Sequence, residues 1–308
     1  MGTTYNVVII SNNPEIREKA QNIINDTIKR IDSHLSNWNP DSEISKFNKS
    51  KESHPFNISP MLLDVMVIGN QVHEESNGFF DVTLAPIINL WGFGAKNGDK
   101  TIPTKEEIST KLSQIGQNRQ LDLDVESSSL TKLNSNVTIS LSAIAKGYGI
   151  DQIAKGLTSL GIDNFLVEIG GDLITRGKNP HGLAWQIGIE QPDHSGKEIQ
   201  KLVKLNNIAM ATSGDYRNYF EEDGVRYSHI INPKNGYPIT HNTASVTVLA
   251  ENATLADAWA TALLAIGEKQ GMKLAEQNMI AALFIVNQKD NSGQKYITKT
   301  SSAFQNSK

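Results

Sequence analysis

Apolar residues recur along this chain at two spacings, and the spacing changes where Gly, Pro, Asn and Ser collect. Ile16, Ala20, Ile23, Ile24, Ile28 and Ile31 fall three or four apart, which predicts one long helix from Asn12-Asn13-Pro14 to about Leu35. Leu62, Val65, Met66, Ile68 and Val72 mark a second helix, opened by Pro60 and stopped by Asn77-Gly78. A short helix is expected after Asp41-Ser42-Glu43, and Thr104 caps another that carries Ile108, Leu112 and Ile115. Ala143 to Leu160 reads as helix despite Gly147 and Gly149, residues that let a ligand or another backbone come close. Thr254 to Ile266 is helical and stops at Gly267, and a further helix covers 270–277.

Between these, alternating or short continuous apolar runs predict strands over 5–10, 120–124, 128–133, 136–140, 164–169, 173–176, 184–190, 200–205, 207–211, 245–249, 280–286 and 295–299. From Ala209 to Pro238 the chain predicts a strand, a Ser-Gly-Asp turn at 213–215, a hairpin tip at Glu221 to Gly224, a strand ending at His229 and a turn at Asn232 to Gly236. Gly214, Gly224 and Gly236 are expected to take the positive φ of those turns. Residues 95–103 read as a polar loop. Helices interspersed with hairpins give an α+β class: largely antiparallel sheets with flanking helices and a ligand cleft between two sub-sheets. No repeat or linker composition divides the 308 residues, so a single domain over 1–308 is expected.

Composition narrows the function more than the fold. Net charge is −4, with no basic excess to neutralise phosphates, which argues against nucleic acid as a partner. There is no cysteine, so thiolate nucleophiles, disulfides and Cys-ligated zinc are excluded. No apolar run approaches the ~18–20 residues of a membrane span, and Met1-Gly-Thr-Thr-Tyr leads directly into a strand rather than a signal peptide.

Three stretches could carry chemistry. Asp257 and Thr261 stand one helical turn apart, so a carboxylate and a hydroxyl share a face and could hold a hard cation such as Mg²⁺. The same spacing also suits a backbone-bonded threonine beside a solvated carboxylate. Ser140-Leu-Ser-Ala-Ile-Ala-Lys146 runs from a strand of small residues into a helix, a place for a diphosphate with Lys146 as counter-charge, or simply a joint with a solvated lysine. His229, at a strand-to-turn edge, could be a general base or a structural histidine. The other six histidines (34, 54, 73, 181, 194 and 241) are expected at the surface, and Trp38, Phe79, Phe80, Trp91 and Phe93 could stack on a flat ring or fill the core. No GxGxxG or Walker lysine motif is present.

The order of the motifs is more specific than any one of them. Trp38 with Asp41-Ser-Glu43 and Asn48, Gly78-Phe-Phe-Asp81-Val-Thr, Leu90-Trp-Gly-Phe-Gly94, Ser142-Ala-Ile-Ala-Lys-Gly-Tyr148 with Asp151, Glu168-Ile-Gly-Gly-Asp172, Ser213-Gly-Asp-Tyr-Arg217, His229-Ile-Ile-Asn-Pro233 and Ala256-Asp-Ala-Trp-Ala-Thr261 together resemble the ApbE family of FAD:protein FMN transferases, from residue 1 to about 267. The resemblance implies Mg²⁺-dependent transfer of FMN from FAD, as substrate, to a threonine or serine hydroxyl of a partner protein, with release of AMP. It implies as acceptor a flavoprotein subunit of an electron-transfer complex of the NADH:quinone oxidoreductase type, and a periplasmic or membrane-anchored lipoprotein location. By matching position, Asp257 and Thr261 would ligate Mg²⁺ with side chains and Ala143 with its carbonyl. Met1, Trp38, Phe79, Phe80, Asp81, Ser140, Lys146 and Ile231 would line the FAD, and His229 would take the acceptor's proton.

Three positions depart from the family pattern. Ser140 stands where many relatives have aspartate, Asn232 replaces a common aspartate before Pro233, and Trp38 stands for a common tyrosine. Two rival activities fit the same residues: an FAD pyrophosphatase giving FMN and AMP, and a non-catalytic FAD-binding protein.

Overall fold

The computed structural model describes residues 2–94, 100–193, 198–216, 218–288 and 295–306. They fall into two compact units, each assembled from separate stretches of chain. The first comprises Met1–Arg30, Lys146–Tyr216 and Asn242–Lys308, and the second Ile31–Ala145 and Arg217–His241. Two of the four changes of unit fall inside elements, at 30/31 in the helix Glu15–Leu35 and at 145/146 in the helix Ala145–Ser159, where no linker composition marks them.

The first unit is built on a seven-stranded sheet, every neighbouring pair antiparallel. Its strands are Tyr5–Ile9, Phe165–Ile169, Asp172–Arg176, Ala209–Gly214, Thr243–Ala250, Ala281–Asn287 and Tyr296–Thr300, in an order that follows the chain. Thr243–Ala250 is buried along almost its whole length. The helix Ala253–Ile266 packs on it, and 11 of this helix's residues are buried, among them six alanines whose small side chains allow close approach. A hairpin of Trp185–Glu190 and Ile199–Leu205 contributes Ile189, Val203 and Leu205 to a cluster with Leu173, Met210, Leu249, Leu283 and Ile285. The second unit holds a three-stranded sheet of Phe56–Asn57, Ser129–Lys132 and Leu121–Asp124, the hairpin Tyr219–Glu222/Val225–Ser228, and the helices Glu43–Lys49, Pro60–Glu75, Ala85–Leu90, Lys105–Leu112 and Gln117–Gln120. Among the described residues no helix is long and apolar enough to cross a membrane.

The α+β expectation and most of the helices hold. Pro60–Glu75 begins at its proline, with Ser59 as cap, and ends at Asn77 and Gly78, both at positive φ. The structure corrects three local readings and decides a fourth that was left open, whether Trp91 and Phe80 fill the core. Residues 136–140 begin in a turn and join no sheet, because two side-chain amides replace the ladder. The carbonyl of Ile139 accepts from Asn37 and Asn48, its N–H donates to Asn48, and Leu141 N–H donates to Asn37. Ser213 and Gly214 lie within the strand Ala209–Gly214, paired with Val246 and Ser245, and Gly214 has no positive φ, unlike Gly224 and Gly236. His73 is buried, on the same helical face as Met66, Gly69 and Val72, and donates from Nδ1 to the Phe80 carbonyl. Trp91 and Phe80 are core rather than free stacking surfaces. The short helices Ala85–Leu90, Gln117–Gln120 and Ser302–Asn306 carry no periodic signal and were not expected.

Candidate active site

The helix Ala253–Ile266 is held at its start by two capping groups. Asn252 accepts the Leu255 N–H, and Asp151 accepts the N–H groups of Ala253 and Thr254, each at 2.8 Å. A negative group there also meets the positive end of the helix. Burial pushes the Asp151 carboxyl up, against the pull of these hydrogen bonds. One turn further along lies Asp257, 2% exposed. Its Oδ1 is 2.9 Å from the Lys146 ammonium and its Oδ2 accepts the Gly147 N–H at 3.1 Å. The Thr261 hydroxyl lies 3.1 Å from that of Ser213, on the neighbouring strand Ala209–Gly214. The solvated-carboxylate reading of this pair therefore fails.

A third acid joins them. Asp172 opens its buried strand just after the Gly170-Gly171 turn, whose glycines both take positive φ. Its Oδ1 accepts the Thr212 N–H at 3.0 Å, and its Oδ2 stands 3.0 Å from Lys146 Nζ without an aligned hydrogen bond. Burial works to lower the Lys146 ammonium, but the charges of Asp172 and Asp257 overcome it and hold it well above the usual lysine range. Burial pushes the Asp172 carboxyl up to about 6, against the pull of Lys146 and with the push of Asp257. The two directions agree once the three groups are counted together. Two carboxylates share one ammonium, so a negative charge is left over in a buried place, and one of the acids resists ionising.

Gly147 explains why the helix Ala145–Ser159 can come this close. A Cβ there would lie 2.1 Å from the Ala253 carbonyl oxygen, so the close approach foreseen for this glycine is to another backbone.

The second unit carries the remaining candidates. His229 is half-buried at the end of the hairpin. Its own N–H and its ring Nδ1 both meet the Asn218 carbonyl, at 3.1 and 2.9 Å. Ile231 is buried, bridges to Pro238 and packs with Trp91, whose indole N–H donates to the Gly236 carbonyl at 2.8 Å. Asp81 accepts the N–H groups of Thr83 and Gln117. It borders a cavity of about 740 Å³ whose lining includes His73, Arg119 and Lys234. Lys234 also sits over the Phe79 ring. Phe80 is 1% exposed and Trp38 66%. Ser140 donates its N–H to the Val82 carbonyl, and its hydroxyl lies 3.1 Å from that of Ser142. Ala143 is half-buried in the turn leading to the helix at Ala145. Met1 lies outside the described residues.

Residues 1–284 match the model of the ApbE family. The chain belongs to the ApbE family. A relative in Haemophilus influenzae, named FAD:protein FMN transferase, is 39% identical over 309 residues, covering 99% of this chain and 88% of its own. One in Vibrio cholerae with the same name is 41% identical over 292 residues, covering 94% and 86%. Among solved structures, the flavin transferase ApbE from Vibrio cholerae superposes with a TM-score of 0.89 at 37% identity, covering 100% of this chain and 96% of that one. The apo form of the Pseudomonas stutzeri flavinyl transferase ApbE gives 0.90 at 36%, covering 100% and 94%.

In this ApbE chain the donor set around Asp257 fits a hard divalent cation. All the candidate ligands are oxygens, from a carboxylate and neighbouring hydroxyls. The leftover negative charge and the unaligned Asp172 oxygen suit an added positive charge. Among the described residues no cluster of three or more His, Cys, Asp or Glu forms a ready-made cage. Sequence reasoning passed over Asp172 and Ser213 as site residues. For Asp172 the local pattern gave little signal, since its strand, Asp172-Leu-Ile-Thr-Arg176, is of mixed composition and ends in an exposed arginine.

Proposed function

We propose that this chain transfers FMN from FAD to a threonine or serine hydroxyl of a partner protein, as an FAD:protein FMN transferase. The observation that carries the reading is the cluster of two buried acids, Asp257 and Asp172, on the half-buried Lys146, with its excess negative charge, in a family whose relatives bear that name. Asp257 and Thr261 would hold Mg²⁺. When bound, the metal supplies a Lewis acid that offsets charge on the diphosphate. Lys146, kept protonated by its two acids, contributes a fixed positive charge for phosphate oxygens. Phe79 and Asp81, with Ser140, contribute to the flavin nucleotide site. His229 accepts the proton of the acceptor hydroxyl as its oxygen bonds to the FMN-side phosphorus. The bond from that phosphorus to the bridging oxygen breaks, and AMP leaves.

The acceptor we propose is a flavoprotein subunit of an NADH:quinone oxidoreductase-type complex. The place of action is the outer side of the cytoplasmic membrane, as a lipoprotein. Both rest on the family resemblance, and cell fractionation of the native gene product tests the second.

The function is tested by incubating the protein with FAD, Mg²⁺ and such a subunit and measuring intact mass. The expected result is an acceptor heavier by one FMN, with one AMP per acceptor and none after chelation. FMN and AMP released without labelled protein would replace this reading by a pyrophosphatase. Bound FAD with no AMP in any condition would leave a binding protein.

A further inference from the structure

We infer that Ser213 is a positioning residue for the cation site: its hydroxyl turns the Thr261 side chain off its own helix, so that Thr261 offers the lone pairs of its oxygen on the face it shares with Asp257. The inference rests on the reading of Asp257 and Thr261 as the residues that would hold Mg²⁺. Ser213, Thr261 and Asp257 all belong to the first unit, on the seven-stranded sheet and the helix Ala253–Ile266 that packs on it.

A threonine inside a helix has two open χ1 wells, and in one of them its hydroxyl donates to the carbonyl four residues back. Thr110 and Thr158 take that bond, to the Glu106 carbonyl at 2.8 Å and the Ala154 carbonyl at 2.9 Å. Thr261 does not. Among the described residues its hydroxyl meets that of Ser213, 3.1 Å away on the strand Ala209–Gly214, and not the Asp257 carbonyl. The difference matters because a hydroxyl has one hydrogen and two lone pairs. Back-bonded, the oxygen lies against its own helix. Directed at the strand, it stands clear of the helix backbone, and by donating to Ser213 it keeps both lone pairs. With those turned to a cation the hydroxyl must donate the other way, and Ser213 Oγ is the acceptor within reach.

Ser213 is itself fixed. It pairs with Val246 in the sheet, and the residue before it is tied twice. The Thr212 N–H donates to Asp172 Oδ1 at 3.0 Å, and the Thr212 hydroxyl lies 2.8 Å from that of Thr247. Ser213 and Thr261 are both half-buried, so a ligand can reach the pair. A partner of this kind orients the ligating group and fixes its hydrogen, and losing one weakens metal binding by about 10–100-fold.

The test uses the full chain and Mg²⁺ alone, with two readouts that need no flavin transfer. The unsubstituted protein and Ser213→Ala are titrated calorimetrically with Mg²⁺, and crystal structures of both are solved without metal. Ser213→Ala is expected to bind Mg²⁺ about tenfold more weakly, and Ser213→Thr, which restores the hydroxyl, within about twofold of the unsubstituted protein. In the metal-free Ser213→Ala structure the Thr261 side chain is expected in its other χ1 well, with its hydroxyl on the Asp257 carbonyl. Unchanged affinity in Ser213→Ala would overturn the inference, as would a Thr261 side chain that keeps its pose there. Thr261→Val, which keeps the shape and removes the oxygen, separates this failure from that of the metal reading. If Thr261→Val loses Mg²⁺ while Ser213→Ala does not, only the role of Ser213 falls. If Thr261→Val binds it equally well, or the unsubstituted protein takes up none, the metal reading falls and the role of Ser213 falls with it.

Discussion

The two regions that hold the candidate chemistry are built in opposite ways. The cluster of Asp257, Lys146 and Asp172 has buried acids and is held by charge, its members fixed on a helix, a neighbouring helix and a strand. The His229 hairpin is half-buried and carries its ring against the Asn218 carbonyl and edge-on to Phe93. In the first, function and stability are the same interactions: removing Lys146 leaves two acids uncompensated in a poorly solvated place, and removing either acid strips the ammonium of a partner. In the second, the reactive group is an end-point that the fold can lose. The difference predicts that damage to the cluster is read first in folding, and damage to the histidine first in turnover.

Gly147→Ala is the severest test of the buried side. Its Cβ would meet the backbone carbonyl of Ala253, which cannot rotate away. A loss above about 3 kcal/mol is expected in chemical denaturation, and a near-neutral result would mean the two helices are not locked at that point. Asp257→Ala comes next, at about 3 kcal/mol, the low end for a broken buried pair because the Lys146 side chain is 30% exposed and retains Asp172. Equal stability with and without the carboxylate would contradict a charge-held cluster.

The pH dependence is smaller and has a definite sign. The folded Asp172 carboxyl, raised to about 6, binds its proton more tightly than the unfolded one near ~3.9. The folded state therefore holds more protons between those values, and stability falls as pH rises from about 4 to 6, by about 2 kcal/mol, and levels off above. Asp172→Asn should remove that slope; a slope that persists in it belongs to other groups.

On the hairpin side, Trp91→Phe removes the hydrogen bond to Gly236 and is expected to cost about 1–2 kcal/mol. His229→Gln should change stability by under about 0.5 kcal/mol while abolishing flavinylation. A large loss of stability in that variant would erase the contrast between the regions.

Much of this protein was legible in its sequence because much of it is local. Apolar spacing placed the helices from Pro60 and from Thr254, since one face of a helix repeats every 3.6 residues whatever packs on it. Glycines at 224 and 236 marked turns because few other residues take positive φ there. The Asp257/Thr261 pair could be read as one face, since four residues make one turn.

The tertiary structure alone decided what depends on partners far along the chain. Lys146 and Asp257 meet across 111 residues, and Asp172 joins them from a hairpin that has no sequence link to either. Residues 136–140 have strand composition, yet Asn37 and Asn48 claim their hydrogen bonds, so the backbone is satisfied without a sheet. His73 carries a polar side chain on a buried face and is tolerated because the Phe80 carbonyl accepts a hydrogen bond from its ring N–H. Spacing within an element is set by bond geometry, whereas burial and charge pairing are set by whichever distant group arrives, and no local pattern encodes that arrival.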